Sequence, residues 1–213
     1  RRTSMRYDRD YYEQQRPAAG MAKRVDDARD RFSVRHHRKE VSSGSVLDVG
    51  CGRGDLLRLM AGDFRLHGIE LSPDGLEQAA QLVPDARLVA ADIEQGSPFA
   101  RPFDAITAIN VLEHLGEPAA GLASIASMQE PGGVLVVHLP VIGNRTQARL
   151  YEGGYASDPT HVWRPSGPEV RESIEAAGYR HLRSAYAPFL PVWAMTRLAI
   201  HPAWFGVFRR IAP

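Results

Sequence analysis

Cysteine is nearly absent from this chain of 213 residues: Cys51 is the single one, so no internal disulfide can form. With no leader-like opening, a reducing, cytoplasmic setting is the expectation. An excess of one charge is missing too. Lys and Arg number 26 against 25 Asp and Glu, a formal net charge of +1. That leaves no global field to gather a polyanion, and no nucleic-acid partner is expected. Nor is there an apolar run of the roughly 18 residues that a membrane-crossing helix needs, so no membrane span is expected. The chain starts on Arg1 rather than methionine, and a few residues are expected to precede it. The length supports one domain with a real core and room for lid elements.

What the sequence does contain is organised around residues 46–57. Val46-Leu47-Asp48-Val49 is a short aliphatic run, the mark of a strand buried on both faces. Gly50, Gly52 and Gly54 follow on alternate positions, and Leu56-Leu57-Arg58-Leu59-Met60 runs on as a helix. A strand, a glycine turn and a helix let backbone approach a nucleotide-like ligand closely. The G-x-G-x-G spacing is not the G-x-G-x-x-G of nicotinamide dinucleotide folds, which argues against an oxidoreductase.

Asp48-Val49-Gly50-Cys51-Gly52-Arg53-Gly54 resembles the first motif of class I S-adenosylmethionine-dependent methyltransferases, and the likeness extends over roughly residues 44 to 180. It implies an α/β, doubly wound, mostly parallel sheet of the Rossmann-like methyltransferase type, with S-adenosyl-L-methionine as cofactor. Glu70 ends the next strand, Phe64 to Glu70, about 20 residues past the glycines, where nucleotide folds place an acid on a ribose diol. The resemblance gives it both ribose hydroxyls, with Leu71 beside it. Asp92 and Ile93 match the family's acidic loop, the side chain of one and the backbone amide of the other meeting adenine. The alternative for Asp92 is a turn-stabilising role. Asp48, Gly50, Cys51, Gly52, Gly54 and Asn110 complete the expected cofactor set.

Strand four, Phe103 to Ile109, leads into Asn110-Val111-Leu112-Glu113-His114. This is similar to the E-H stretch of small-molecule methyltransferases, including those of ubiquinone biosynthesis. Some relatives with Glu-x-x-Glu-His here bind a divalent metal; Asn110 stands where the first glutamate would be, so no metal is expected. No Asn/Asp-Pro-Pro-aromatic stretch is present, as base-amino methyltransferases have, nor the two-glutamate loop of protein-arginine enzymes. Residues 141–168 form a long Gly- and Pro-marked insertion after strand five, the kind of loop in which function sits. Its Asp158-Pro159-Thr160-His161 resembles a D-P-x-H stretch of related enzymes. His161, with His114 second, is therefore the expected acceptor-facing base, since imidazole is matched to neutral pH. A structural hydrogen bond is the alternative for each, and His138, inside strand five, reads as a core histidine.

The expected domain plan is an N-terminal helical lid over 1–40, a cofactor-binding α/β domain over 41–187, and an apolar C-terminal segment over 188–213. The first segment carries a helix from about 18 to 39. It covers one side of the sheet, or else brings Tyr7, Tyr11, Tyr12, Arg35 or Arg38 to the cofactor or to an acidic substrate. In the last segment 192–200 suits a helix as well as a strand, leaving the family's final strand open. Trp193, Trp204, Phe205 and Phe208 there offer core packing, an acceptor pocket, a membrane contact or a homodimer surface. The expected activity is methyl transfer to an oxygen or nitrogen of a small-molecule acceptor. The rivals are a non-catalytic S-adenosylmethionine-binding partner protein and a nucleic-acid methyltransferase.

Overall fold

The computed structural model describes residues 20–100, 102–186 and 199–211. Helix α1, Met21–Glu40, precedes β1, Gly44–Val49. Then come α2, Asp55–Met60; β2, Phe64–Glu70; α3, Pro73–Leu82; and β3, Arg87–Ala90. A 3-10 turn at Ile93–Gln95 leads to β4, Ala105–Ile109, and a second at Leu112–His114 leads to α4, Pro118–Ser127. The chain closes with β5, Val134–Pro140; α5, Arg145–Gly154; α6, Gly167–Ala176; β6, Tyr179–Tyr186; and β7, Ala203–Arg210. Among the described residues no helix is long and apolar enough to cross a membrane.

The seven strands lie in the order β3-β2-β1-β4-β5-β7-β6, parallel except for β7, which runs antiparallel to both neighbours. This is the doubly wound sheet that the glycine turn and strand spacing predict. Central strands bury both faces, so successive residues feed two cores. Leu47, Ile106 and Leu135 point into one core, with Leu122, Ile125, Val170 and Ile174 from α4 and α6. Val46, Ala105 and Val134 point into the other, with Val34, Leu57 and Met60 from α1 and α2. Local signals agree with the helix starts. Ser72 accepts from the Gly75 amide ahead of Pro73, and Ser166 and Glu169 form a reciprocal capping box.

The structure decides between alternatives in both terminal segments. In the C-terminal segment the strand left open is present, because β7 completes the sheet between β5 and β6. Trp204, Phe205 and Phe208 are 3%, 3% and 0% exposed, so these rings are core and offer no membrane, acceptor or homodimer surface. Trp193 and the 192–198 stretch lie outside the described residues, as do Tyr7, Tyr11 and Tyr12. Nor does the helix of the first segment behave as a lid in its described part. Phe32 of α1 packs edge-on to Phe205 at 4.8 Å between ring centroids, and Glu40 pairs with Arg183 and Arg209. Arg38 does not reach the cofactor cleft. It binds Asp63 at 2.6 Å and the Leu59 carbonyl, just before the amino end of β2, the opposite edge from the strand ends that hold ligands. Arg35 is exposed in a groove it shares with Arg31, Arg38 and Lys39.

The 141–168 insertion also differs from a plain loop, since it folds α5. Asn144 caps that helix through Gln147, and Tyr151 is turned inward and fully buried. Gly153 and Gly154, which suggest a loop, sit at its last turn.

Candidate active site

The carboxyl ends of β1, β2 and β4 build one wall of the cleft. At the end of β1, Asp48 is 4% exposed and accepts from the Thr107 hydroxyl at 2.7 Å. The chain then turns through Gly50, Gly52 and Gly54 at φ of 70°, 52° and 81°, a left-handed conformation that glycine adopts without strain. The Gly50 and Cys51 amides donate to the Ile69 carbonyl at 2.8 and 3.0 Å, tying the turn to β2. Space is tight. A Cβ on Gly50 would lie 2.5 Å from Val111 Cγ2, and one on Gly68 would lie 2.7 Å from the buried Cys51 thiol.

Glu70, 6% exposed, sits at the end of β2 as an anionic hub. Its Oε2 accepts from the Gly52 amide at 2.9 Å, and its Oε1 accepts from the Leu71 and Ser72 amides at 2.7 and 2.8 Å. The glycine turn and the acid are thus joined before any ligand arrives. Asp92 caps the following 3-10 turn through Oδ1, which accepts from the Glu94 amide at 3.0 Å, and Ile93 is buried behind it. The turn-stabilising role is therefore present and uses that oxygen. Asn110, after β4, holds φ at 54° and is the one non-glycine residue with positive φ among those described. Such strain collects at sites of function. Its Oδ1 accepts from His138 Nδ1 at 2.7 Å. Burial pushes the His138 imidazole well below its usual range, so the ring is neutral; it is a core histidine that orients Asn110.

Past the carboxyl end of β4, two imidazoles meet. His114 and His161 lie 4.9 Å apart between ring centroids, edge to face. His161 Nδ1 is 3.0 Å from the Tyr151 hydroxyl, and its Nε2 is 3.7 Å from Asp158 Oδ2. Burial pushes the His161 imidazole down, against the pull of Asp158. His114 Nδ1 lies 2.8 Å from Thr160 Oγ1. The strap between α5 and α6, residues 155–166, is held down because the Val162 and Trp163 amides both donate to the Glu113 carbonyl. Glu113, His114 and His161 each bring one potential ligand atom within 4.8 Å of the others, a convergence that the missing glutamate at position 110 did not suggest. Thr107, Tyr151, Asp158 and Thr160 were not singled out as site residues by sequence reasoning. Only Thr107, a hydroxyl in an otherwise aliphatic strand, carried a signal, and Asp158 and Thr160 entered only as companions of His161.

A sequence profile described as a methyltransferase domain matches residues 12–184. The chain belongs to this family. The solved structures agree on the fold. An S-adenosylmethionine-dependent methyltransferase from Clostridium acetobutylicum is 12% identical and superposes with a TM-score of 0.72, over 95% of this chain and 97% of the other. The N-methyltransferase NodS from Bradyrhizobium japonicum, solved with S-adenosyl-l-homocysteine, gives 0.69 at 20% identity over 94% and 97%.

Two curated relatives illustrate how varied this family's acceptors are. The ubiquinone biosynthesis O-methyltransferase of Xylella fastidiosa is 33% identical over 68% of this chain and 62% of its own length. The dTDP-3-amino-3,4,6-trideoxy-alpha-D-glucopyranose N,N-dimethyltransferase of Streptomyces venezuelae is 37% identical over 49% of this chain and 45% of its own length. The chain thus spans 45% and 62% of the length of these two relatives, less than two thirds of either.

S-adenosylmethionine is the cofactor, and the residues present fit it. The left-handed glycine turn presents backbone, and three amides converge on a buried acid at the end of β2, which together suit a ribose beside a close-approaching chain.

Proposed function

We propose that this methyltransferase domain transfers a methyl group to an oxygen or nitrogen of a small-molecule acceptor, in a cytoplasmic setting. The observation that supports the reading is that Asp48, Glu70 and His114 lie at or just past the carboxyl ends of the neighbouring strands β1, β2 and β4, with the His161 ring 4.9 Å from that of His114. Bound S-adenosylmethionine supplies a methyl already activated by its sulfonium. Glu70 accepts from the ribose hydroxyls, Asp92 and the Ile93 amide meet adenine, and Gly50, Cys51, Gly52 and Gly54 let the backbone close on the ligand, with Asp48, Leu71 and Asn110 around it. Holding acceptor and methyl in line supplies several kcal/mol of the barrier. A base is required where the acceptor must lose a proton, and His161 and His114 are the two candidates. The relatives, an O-methyltransferase and an N,N-dimethyltransferase by name, support small molecules with either acceptor atom.

Labelled S-adenosylmethionine incubated with a panel of small hydroxyl, amine and carboxylate acceptors tests this reading. Transfer to at least one supports it; cofactor binding with no transfer to any favours the non-catalytic binding protein. A second reading comes from the convergence of Glu113, His114 and His161: a shared divalent ion would orient the acceptor. Our first reading has the site working without metal, so turnover should survive exhaustive chelation. Loss on chelation and recovery with a divalent ion would replace it by the second.

A further inference from the structure

The acids of the first two helices are already paired. On α1, Asp26 and Asp30 hold Arg29, Asp27 holds Lys23, and Glu40 holds Arg183 and Arg209. On α2, Asp55 lies 3.5 Å from Lys23, and Asp63, just beyond that helix, holds Arg38. Yet α1 carries three further exposed cations, Arg31, Arg35 and Lys39. Asp27 is held below its usual value first by its hydrogen bond from Lys23, with Arg31 a lesser influence. Among the described residues, none of the three cations has an ion pair or a hydrogen bond to an acid.

Positions 31, 35, 38 and 39 recur at helical spacing and share one face, a stripe about 12 Å long at about 1.5 Å per residue. With Val34 and Leu59 they line a groove of about 380 Å³, within the range of about 300–1,000 Å³ that small ligands occupy. Val34 is 3% exposed and Leu59 half-buried, so the cations stand around an apolar surface. Arg38 is anchored. Its Nε donates to Asp63 at 2.8 Å and its Nη2 to the Leu59 carbonyl at 3.1 Å. One fixed guanidinium beside two without acids suits the planar, two-pronged recognition of phosphoryl oxygens. The contacts of Arg38 lie just before the amino end of β2, at the opposite edge from the cofactor cleft.

We propose that this groove is a second, non-catalytic site, for a small molecule that carries a diphosphate group. The charges match: three cations without acid partners meet two linked phosphoryl groups, each bringing at least about one negative charge at neutral pH. A lone carboxylate would leave most of that positive charge unanswered. Val34 and Leu59 offer an apolar surface to any organic remainder, and the concave shape favours a small ligand over a flat lipid surface. S-adenosylmethionine carries no phosphate, so the groove is not a second seat for the cofactor. The inference is independent of the acceptor reading above.

Calorimetric titration of the full chain tests it, with inorganic diphosphate and uridine diphosphate as probes, with and without saturating S-adenosylhomocysteine. Binding should be one-to-one and indifferent to S-adenosylhomocysteine, because cleft and groove lie apart. Arg31→Gln combined with Arg35→Gln should weaken it by about 10-fold for each guanidinium lost, the scale of a hydrogen bond to a charged group. Arg31→Lys combined with Arg35→Lys keeps the charge and loses the forks, so its affinity should fall between the two. Arg65→Gln combined with Arg180→Gln removes the same charge from exposed positions elsewhere and should leave affinity unchanged. Circular dichroism should show the same unfolding midpoint in every variant.

Equal affinity for the two probes marks free diphosphate as the ligand, and tighter binding of uridine diphosphate marks an organic diphosphate; either supports the proposal. No heat from either probe overturns it, as does a loss in the Arg65 and Arg180 variant equal to that in the Arg31 and Arg35 variant. Competition with S-adenosylhomocysteine also overturns it, by placing the diphosphate in the cofactor cleft. Binding to phosphatidylserine vesicles or to poly-glutamate, with none to either diphosphate, would replace the small ligand by an anionic lipid surface or an acidic protein segment.

Discussion

Removing the Glu70 carboxylate should weaken both the fold and the cofactor site, and the geometry gives the size of each effect. Glu70→Ala strips acceptors from three amides, those of Gly52, Leu71 and Ser72. Bonds to a charged group contribute about 1.5–3 kcal/mol each, but water entering the gap recovers part, so about 1 kcal/mol apiece is a working figure. The loss is then roughly 3 kcal/mol. At about 2–4 °C per kcal/mol for a chain of this length, the unfolding midpoint should fall by roughly 6–12 °C. The ribose hydroxyls lose a charged acceptor as well, worth about 1–3 kcal/mol, so S-adenosylhomocysteine should bind roughly 5- to 150-fold more weakly. Glu70→Gln should not rescue either effect. Its oxygen can serve Leu71 and Ser72, but its NH2 then faces the Gly52 N–H, donor against donor. Thermal unfolding by circular dichroism and calorimetric titration with S-adenosylhomocysteine check both numbers. An unchanged midpoint refutes the hub. A lowered midpoint with unchanged affinity keeps the hub and removes the ribose contact.

Gly50→Ala places a Cβ 2.5 Å from Val111 Cγ2 at a φ of 70°, and Gly52→Val strains the same turn; each should abolish calorimetric binding of S-adenosylhomocysteine, and normal affinity in both would dismiss the turn as the cofactor's cradle. His114→Ala and His161→Ala should lower turnover of a hydroxyl acceptor, by about 10²–10⁴-fold for whichever ring takes the proton, with S-adenosylhomocysteine affinity nearly intact; normal turnover in both removes histidine base catalysis. His37 is fully buried, neither ring nitrogen has a partner among the described residues, and burial pushes it to about 3. The unfolded chain takes up that proton below about pH 6.5 while the folded one stays neutral, so stability should fall as pH drops from 6.5 toward 3, with a slope approaching about 1.4 kcal/mol per pH unit. Urea denaturation at pH 7.5, 6 and 5 should show that slope, reduced in His37→Phe; an equal slope in the variant dismisses His37 as its source.

The part of the fold that holds the cofactor was readable because its signals are local. Val46 to Leu57 carries its strand, turn and helix in one stretch, and Glu70 and Asp92 stand at fixed distances beyond it. Strand β7 was not readable for a physical reason. It is covered on both faces over Ala203 to Phe208, so Trp204-Phe205-Gly206-Val207-Phe208 shows no alternation, and its partner β5 lies far back in the chain. The acceptor side resisted for a related reason. Thr160 and Asp158 look like loop residues until the strap folds onto Glu113, and Tyr151 reaches His161 only because α5 forms where Gly153 and Gly154 suggest a loop. His114 and His161 could each be named from sequence; that their rings meet edge to face belongs to the tertiary structure.

The account stands or falls on the ligand of the glycine turn, and one calorimetric titration of the full chain addresses it directly. S-adenosylhomocysteine and NAD are titrated in parallel into wild-type protein and Glu70→Ala. The account predicts one-to-one binding of S-adenosylhomocysteine at micromolar concentration, weakened in Glu70→Ala, and no heat from NAD. Binding of NAD with none of S-adenosylhomocysteine would contradict it.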